Sequence, residues 1–151
     1  MRLSLVVAIC SYPWVAFAAD PVMGTWKLNV EKSTYSPGPA PKSQVRVYQE
    51  HPEGIRVTIK TTMPDGLSTS VEHPVNYDGK EHPITGSRQS DAILLKKIDD
   101  HTSESILKHA SKVLGTNRRV VSNDGKAMTI TFQGTDSRGR QVNNSAVYEK
   151  Q

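Results

Sequence analysis

Gly24-Thr25-Trp26-Lys27-Leu28 is the stretch of this 151-residue sequence that decides the fold. Trp26 and Leu28 fall on one face of a predicted strand, and the polar Lys27 falls on the other face. The segment 146–150, Ala-Val-Tyr-Glu-Lys, is predicted to pair with this opening strand. Nearly all of the chain between the two segments has the pattern of short strands joined by turns. The sequence therefore predicts a small closed β-barrel.

The first residues have the organisation of a secretory signal peptide. Arg2 provides a positive charge, residues 3–9 are apolar, and Ala16-Phe17-Ala18 has the small residues of a cleavage site. We expect cleavage after Ala18 or Ala19, so that residues 1–19 are removed and residues 20–151 form a single domain. The apolar run is well short of the ~20 residues that span a bilayer. The protein is therefore predicted to be exported, periplasmic or secreted, without stable membrane insertion.

Cys10 is the only cysteine and lies within this segment. A lipid attached to it would anchor the protein, but the preceding Ile9 is not the small residue that such a site requires. The processed chain then has no cysteine, which excludes disulfides, thiol nucleophiles and cysteine-ligated zinc. The net charge of +4 is spread along the chain. No basic stripe with interleaved aromatic residues indicates a nucleic-acid partner.

Period-two alternation of apolar and polar residues begins after a proline-rich link at residues 36–41. Ile55, Val57 and Ile59, for example, share one face of a strand. We count about ten strands separated by turn signals, and we expect an all-β, antiparallel, up-and-down barrel of about 8–10 strands. The prolines of the link exclude a helical lid, because proline lacks an N–H donor and restricts the residue before it.

A hairpin at Asp124-Gly125 predicts which side chains face inward. With these two residues as the loop, three pairs lie opposite each other on the adjacent strands: Val121 with Met128, Arg119 with Ile130, and Asn117 with Phe132. The three residues of the second strand form its apolar face. Arg119 and Asn117 are therefore predicted to point into the barrel with them.

An inward Arg119 requires a partner, because an unpaired buried charge is costly. One interpretation is a bound anionic ligand. The other is a cation–π contact with Trp26 near the barrel floor, worth about 0.5–2 kcal/mol. The sequence leaves both open. On the same strand, Gly115 is expected to mark a bulge or a close approach of two backbones.

The turn at Asp78-Gly79 places Pro74 opposite Pro83 on the flanking strands. Neither proline donates a hydrogen bond, so we expect weak pairing here, with an edge or a side opening in the barrel. His73 and His82 fall on one face as diagonal neighbours. Two histidines do not complete a zinc site, and we expect both to be solvated side chains near the turn. No metal site is predicted.

Recognisable catalytic motifs are missing from the sequence. It contains no nucleophile elbow, His-Glu-x-x-His, P-loop or dinucleotide-binding fingerprint. We therefore expect no enzyme activity and no cofactor.

The Gly24-x-Trp26 opening resembles that of the calycin superfamily, which includes the lipocalins and the fatty-acid-binding proteins. The ending Val147-Tyr148-Glu149-Lys150 is similar to the close of the fatty-acid-binding proteins, and the chain after the signal is similar overall to small exported bacterial proteins. The resemblance implies a barrel whose interior takes an apolar small molecule. It also implies a carboxylate-binding Arg-x-Tyr, but here Ala146 stands in the place of the arginine and Tyr148 remains.

The resulting hypothesis is an exported, lipocalin-like, non-enzymatic binding protein for a small apolar, amphipathic or anionic ligand, in which Arg119 supplies the missing charge. The candidates for ligand contact in the interior are Arg119, Asn117, Tyr148, Met128, Ile130 and Phe132, with Gly24 and Trp26 as structural motif residues. The alternative is a barrel filled by its own side chains that binds another envelope protein or has a structural role. The ligand's identity and the oligomeric state stay open.

Overall fold

The computed structural model describes residues 19–151, which form strands, turns and loops without a helix. Within that range, no helix is therefore long and apolar enough to cross a membrane. The predicted signal peptide, including Cys10, lies outside the described residues except for Ala19.

Ten antiparallel strands form one sheet that curls into a nearly closed up-and-down barrel. The strands are β1 (Gly24–Ser36), β2 (Ser43–His51), β3 (Gly54–Thr62), β4 (Ser68–Val75), β5 (Asp78–Pro83), β6 (Ala92–Lys97), β7 (Thr102–His109), β8 (Lys112–Val121), β9 (Ala127–Thr135) and β10 (Gln141–Lys150). Consecutive strands pair from β1 to β4 and from β5 to β10, and β1 also pairs with β10. The predicted all-β antiparallel barrel is confirmed.

The junction of β1 with β10 joins the first and last strands of the barrel. The predicted pairing of segments 24–28 and 146–150 is confirmed. A bulge interrupts this ladder after Asn29. The hydroxyl group of Ser33 bridges the bulge, because it donates to the carbonyl oxygen of Asn29 at 2.6 Å and accepts from the amide of Val147 at 2.9 Å. β1 therefore continues through the bulge instead of ending at it.

Trp26 lies at the floor of the barrel and is completely buried. Its indole N–H donates to the carbonyl oxygen of Val22 at 2.7 Å, which ties the segment before β1 to the floor. The ammonium nitrogen of Lys150 lies 5.2 Å from the centre of the Trp26 ring. A Cβ on Gly24, whose φ is +116°, would lie 3.1 Å from the Lys150 side chain, so glycine leaves room for this lysine. The cation beside Trp26 is therefore Lys150, and not Arg119 as one interpretation of the sequence predicted.

The register of β8 against β9 is the predicted one. Arg119 lies opposite Ile130, and Asn117 lies opposite Phe132. Gly115 lies where β8 bulges against β7, and a Cβ there would come within 2.3 Å of the backbone of β9. Both expectations for this glycine are confirmed. The bulge changes only the pairing with β7, so the register with β9 follows from the loop length.

β4 and β5 are the two edges of the sheet, and we call their junction the seam. Within residues 19–151, its one bridge joins Glu72 and Thr85, which exchange two hydrogen bonds of 3.1 Å. In an antiparallel ladder, the next pair of this kind lies two residues further along each strand. That pair is Pro74 and Pro83, and neither has an N–H group to donate. The predicted sheet edge and weak pairing at these prolines are confirmed.

Candidate functional site

Polar side chains from several strands meet inside the barrel next to Trp26. We call this group the polar cluster; it comprises Gln44, Arg46, Tyr48, His73, Tyr77, Arg119 and Tyr148. β2, β4, β8 and β10 supply all its members except Tyr77, which lies in the turn between β4 and β5. The cluster therefore joins opposite walls of the barrel.

Arg46 lies across from Trp26 on the neighbouring strand. Its Nε donates to Oη of Tyr148 at 3.0 Å and to Oε1 of Gln44 at 3.1 Å, and its guanidinium carbon lies 5.2 Å from the centre of the Tyr148 ring. Burial lowers the pKa of Arg46, but the interactions with Tyr148 and Tyr48 outweigh burial and raise the pKa. The guanidinium of Arg46 therefore stays charged.

Arg119 enters the polar cluster from β8. It donates to Oη of Tyr77 at 2.7 Å, and its guanidinium carbon lies 5.1 Å from the centre of the Tyr48 ring. Tyr77 in turn donates to the carboxylate of Asp20 at 2.8 Å, and the same carboxylate lies 3.6 Å from Nζ of Lys97. Asp20 thus reaches Arg119 through Tyr77 and is shared with Lys97.

Tyr48 lies between the two arginines and is only 3% exposed. Burial alone would raise the pKa of its hydroxyl group. The charges of Arg46 and Arg119, and the hydrogen bonds that their guanidinium groups offer, outweigh burial and lower the pKa of Tyr48 from its usual value of 10.0. The hydroxyl of Tyr48 therefore lies close to both positively charged guanidinium groups.

His73 is buried in the cluster with 5% of its surface exposed. Its Nδ1 has no hydrogen-bond partner among residues 19–151. Burial, followed by the charges of Arg46 and His82, lowers the pKa of His73 to about 4, so the imidazole is neutral at pH 7. The expectation of a solvated His73 is wrong, because β4 directs this residue inward, two strands away from Tyr48 in the same cross-strand row.

His82 lies outside the polar cluster, where its Nε2 is 3.0 Å from the carboxylate of Asp78. Glu81 on the same strand instead pairs with Lys108 at 2.7 Å. In the described part of the chain, no group of three or more His, Cys, Asp or Glu side chains is arranged to hold a metal ion.

The interior residues predicted from the sequence separate into three environments. Arg119 and Tyr148 belong to the polar cluster, Met128 and Ile130 form buried apolar wall, and Asn117 and Phe132 are half-buried. The amide of Asn117 donates to the hydroxyl of Ser105 at 3.3 Å. The arginine that contacts Tyr148 is Arg46, whereas Arg119 contacts Tyr48 and Tyr77. Arg46, rather than Arg119, therefore supplies a positive charge beside Tyr148.

Several inward-facing residues of the barrel keep part of their surface exposed. Gln44, Ile59 and Phe132 are half-buried, and so is Arg46. The polar cluster is therefore less completely buried than Trp26 beside it.

Among residues 19–151, one cavity adjoins the edge of the polar cluster and another lies at the surface. One of about 10 Å³ adjoins Arg119 and Tyr77 and has room for about one water molecule. Ser103 lines it, and the buried hydroxyl of this residue has no hydrogen-bond partner within residues 19–151. The other is a surface depression of about 330 Å³ beside Glu81. Neither cavity reaches Arg46, so neither is the polar cluster itself.

Reasoning from the sequence missed Gln44, Arg46, Tyr48, His73 and Tyr77 as members of the polar cluster. A usable signal existed at the turn between β2 and β3. A two-residue loop at Pro52-Glu53 places Arg46 opposite Ile59 and Tyr48 opposite Val57, which is the observed register. Ile59 and Val57 belong to the apolar face of β3. Deriving the strand register from the loop length, as for the hairpin at Asp124-Gly125, would therefore have predicted that Arg46 and Tyr48 point inward.

Comparison with known proteins adds no assignment. Neither the models of protein families nor the sequences of curated proteins match this chain.

Proposed function

We propose that this protein is an exported, periplasmic or secreted, lipocalin-like binding protein that holds a small amphipathic anion in its barrel and catalyses no reaction. The observation that carries the proposal is the pair of guanidinium groups, from Arg46 and Arg119, on either side of Tyr48 in the interior. Among residues 19–151, neither forms an ion pair with a carboxylate. A ligand anion would provide the missing counter-charge.

The energetics favour a ligand at this position. Two half-buried positive charges without a carboxylate partner cost folding free energy, and replacing such charges by apolar side chains often stabilises a protein. Proteins retain convergent charged groups of this kind where they bind a ligand. The apolar wall formed by Met128 and Ile130 lines the same interior and would contact the apolar part of an amphipathic molecule.

The calycin resemblance supports the same proposal. It implies an arginine and a tyrosine that together bind a carboxylate, and Ala146 replaces that arginine in the matching segment. Arg46 on β2 donates to Tyr148 on β10, so an arginine and a tyrosine meet although they come from strands that are far apart in sequence. Arg46 and Tyr148 thus form an arginine–tyrosine pair across two strands instead of within one Arg-x-Tyr segment.

The alternative function is a filled barrel that acts as a structural or protein-binding module. The stacking of Arg46 on Tyr148 and of Arg119 on Tyr48 favours it, because these contacts occupy the guanidinium groups without a ligand. A cation–π contact contributes about 0.5–2 kcal/mol, which is less than the cost of burying an unpaired charge. We therefore place the binding protein first.

A fluorescence titration with 1-anilinonaphthalene-8-sulfonate, a small amphipathic anion, tests the proposal. We expect Arg46→Met and Arg119→Met each to weaken binding at least tenfold, since each removes a charged hydrogen-bond donor. Arg118→Met is the matched control, because Arg118 points outward and pairs with Glu104 at 2.6 Å. Thermal unfolding of each variant verifies that it is folded. No binding by the wild type, or equal loss with Arg118→Met, would count against a ligand in the barrel.

A further inference from the structure

The charges inside the barrel can be counted from the contacts of the polar cluster. Arg46 and Arg119 contribute two positive charges beside Tyr48. Asp20 is the nearest carboxylate in the chain of contacts from Arg119, but its charge is also shared with Lys97 at 3.6 Å. Asp20 and Lys97 together are neutral, so the cluster keeps an excess of about two positive charges. A ligand with a single negative charge would balance half of this excess.

The hydrogen-bonding groups of the cluster consist mainly of unused donors. Oε1 of Gln44 already accepts from Arg46 and from Tyr148. The guanidinium of Arg46 donates through Nε and retains further N–H groups, as does that of Arg119. A ligand here therefore meets N–H and O–H donors, and it needs several acceptor oxygens to use them.

His73 provides an independent observation that points to a ligand. Its Nδ1 is buried and has no partner among the described residues, although buried polar atoms are nearly always hydrogen-bonded. His73 and Tyr48 lie in one cross-strand row with Val57 between them. Adjacent strands are about 4.8 Å apart, so both side chains project into the same part of the interior. A ligand oxygen between the arginines and β4 would satisfy this nitrogen.

We propose that the head group of the ligand is a dianionic phosphate monoester held between Arg46 and Arg119, with Tyr48 and His73 as its neutral hydrogen-bond donors. The inference rests on the proposed binding function and adds the chemical class of the ligand. A phosphate monoester carries about two negative charges at neutral pH and has three acceptor oxygens. It therefore matches the charge excess and the surplus of donors, whereas a carboxylate matches one charge and offers two oxygens.

Isothermal titration calorimetry at pH 8 with three octyl amphiphiles tests the charge of the head group. Octyl phosphate and octyl sulfate have the same chain and the same tetrahedral shape, but the sulfate carries one charge; octanoate is the planar monoanion. We expect octyl phosphate to bind at least tenfold more tightly than either. Equal or tighter binding of octyl sulfate would overturn the dianion while leaving the binding function intact. Failure of all three amphiphiles to bind would overturn both.

Inorganic phosphate, titrated in the same way, distinguishes two sources of this chemistry. Weaker binding of inorganic phosphate than of octyl phosphate indicates a lipid-like phosphate whose chain contacts the apolar wall. Equal binding indicates free phosphate. Both results support the phosphate site, and weaker binding of both phosphates than of octyl sulfate contradicts it.

The pH dependence of binding provides a second readout. The second pKa of a phosphate monoester is about 6, so the affinity for octyl phosphate should fall between pH 8 and pH 5, while that for octyl sulfate stays level. The titratable and charged groups around the head group are Tyr35, Arg46, Tyr48, His73, Tyr77, Arg119 and Tyr148, with Asp20 behind Tyr77 and His82 behind His73. Burial raises the pKa of Tyr35, of Tyr77 and of Tyr148, so all three stay neutral over this range. A parallel fall for both amphiphiles would assign the effect to the protein and contradict the inference.

His73→Phe tests the neutral donor. We expect about tenfold weaker binding of octyl phosphate, since one hydrogen bond to a charged group is lost. His51→Phe, at the turn between β2 and β3, is the matched control and should bind like the wild type. Unchanged affinity of a folded His73→Phe variant would remove this residue from the site.

Discussion

The barrel is closed at two junctions that differ in almost every respect. At the junction of β1 with β10, paired residues run from Trp26 and Lys150 to Ser36 and Asn143 with one bulge between them. At the seam between β4 and β5, Glu72 and Thr85 form the one bridge within residues 19–151. The inward side chains follow the same division. Trp26 and Tyr148 are fully buried at the first junction, while the seam carries His73, whose Nδ1 has no hydrogen-bond partner among the described residues.

The difference shows that backbone pairing and the chemistry of the interior are linked in this fold. Where the ladder is continuous, large side chains pack against each other and exclude water. Where two prolines interrupt it, the wall gains little from backbone hydrogen bonds, and a polar side chain lies behind it. The first junction therefore carries stability, and the seam contributes His73 to the residues that we assign to ligand binding.

Trp26→Ala is the strongest test of this division. Truncating a fully buried aromatic residue costs about 3–5 kcal/mol, and the hydrogen bond to Val22 is lost as well. We expect urea denaturation to show that loss, or the variant not to fold at all. Trp26→Phe keeps a ring and should lose less. Val30→Ala, at an exposed position of the same strand, is the control and should change stability by less than about 0.5 kcal/mol. A Trp26→Ala variant as stable as this control would contradict the role of the junction.

The seam side should respond to pH instead. The usual pKa of histidine, 6.5, applies to unfolded His73, and the pKa in the fold is about 4. The unfolded state therefore binds more protons between these values, so the free energy of unfolding should fall by about 3 kcal/mol as the pH falls from 7 to 4. His73→Gln should remove this component, whereas His51→Gln should retain it. Urea denaturation at several pH values measures the difference, and identical pH profiles of wild type and His73→Gln would refute it.

The smallest effect is expected from restoring N–H groups to the seam. Pro74→Val with Pro83→Val would allow one more pair of ladder hydrogen bonds beside Glu72 and Thr85, each worth about 0.5–1.5 kcal/mol. Losing each proline increases the conformational entropy of the unfolded chain and destabilises the fold by about 0.4–1 kcal/mol. This cost offsets part of the gain from the new hydrogen bonds. The net change in stability should therefore stay below about 1 kcal/mol. Hydrogen exchange at Glu72 and Thr85 should nevertheless slow, and unchanged exchange would show that another feature holds the strands apart.

Loop lengths explain why much of the architecture could be predicted from the sequence. A two-residue loop at Asp124-Gly125 permits a single register of the two strands that it joins. The predicted position of Arg119 opposite Ile130 is therefore confirmed. Pro74 and Pro83 located the seam, because the chemistry that prevents pairing belongs to the residues themselves. The register of the one bridge at the seam is also the predicted one. Local rules of this kind need no knowledge of the rest of the fold.

The polar cluster could be predicted only in part, because it depends on contacts between distant strands. Tyr148 was expected inside from the chain's ending, but its partner Arg46 is 102 positions away in the sequence. The proline-rich link before β2 has no defined turn geometry, so it does not relate the faces of β1 and β2. His73 was misplaced for a different reason. Its polarity suggested solvent, whereas the strand directs it inward beside Arg46, where burial keeps it neutral.

The pairing of β1 with β10 also carries most of the entropy cost of closing the barrel. Every other ladder joins consecutive strands, so it closes a short loop. The contact of Asn29 with Glu149 spans 120 positions. Closing a flexible loop of this size costs about 4 kcal/mol beyond the constant for the shortest loops. Nearly all of the long-range closure cost in this topology is therefore concentrated in one pair of strands, the pair that contains the Gly-x-Trp stretch.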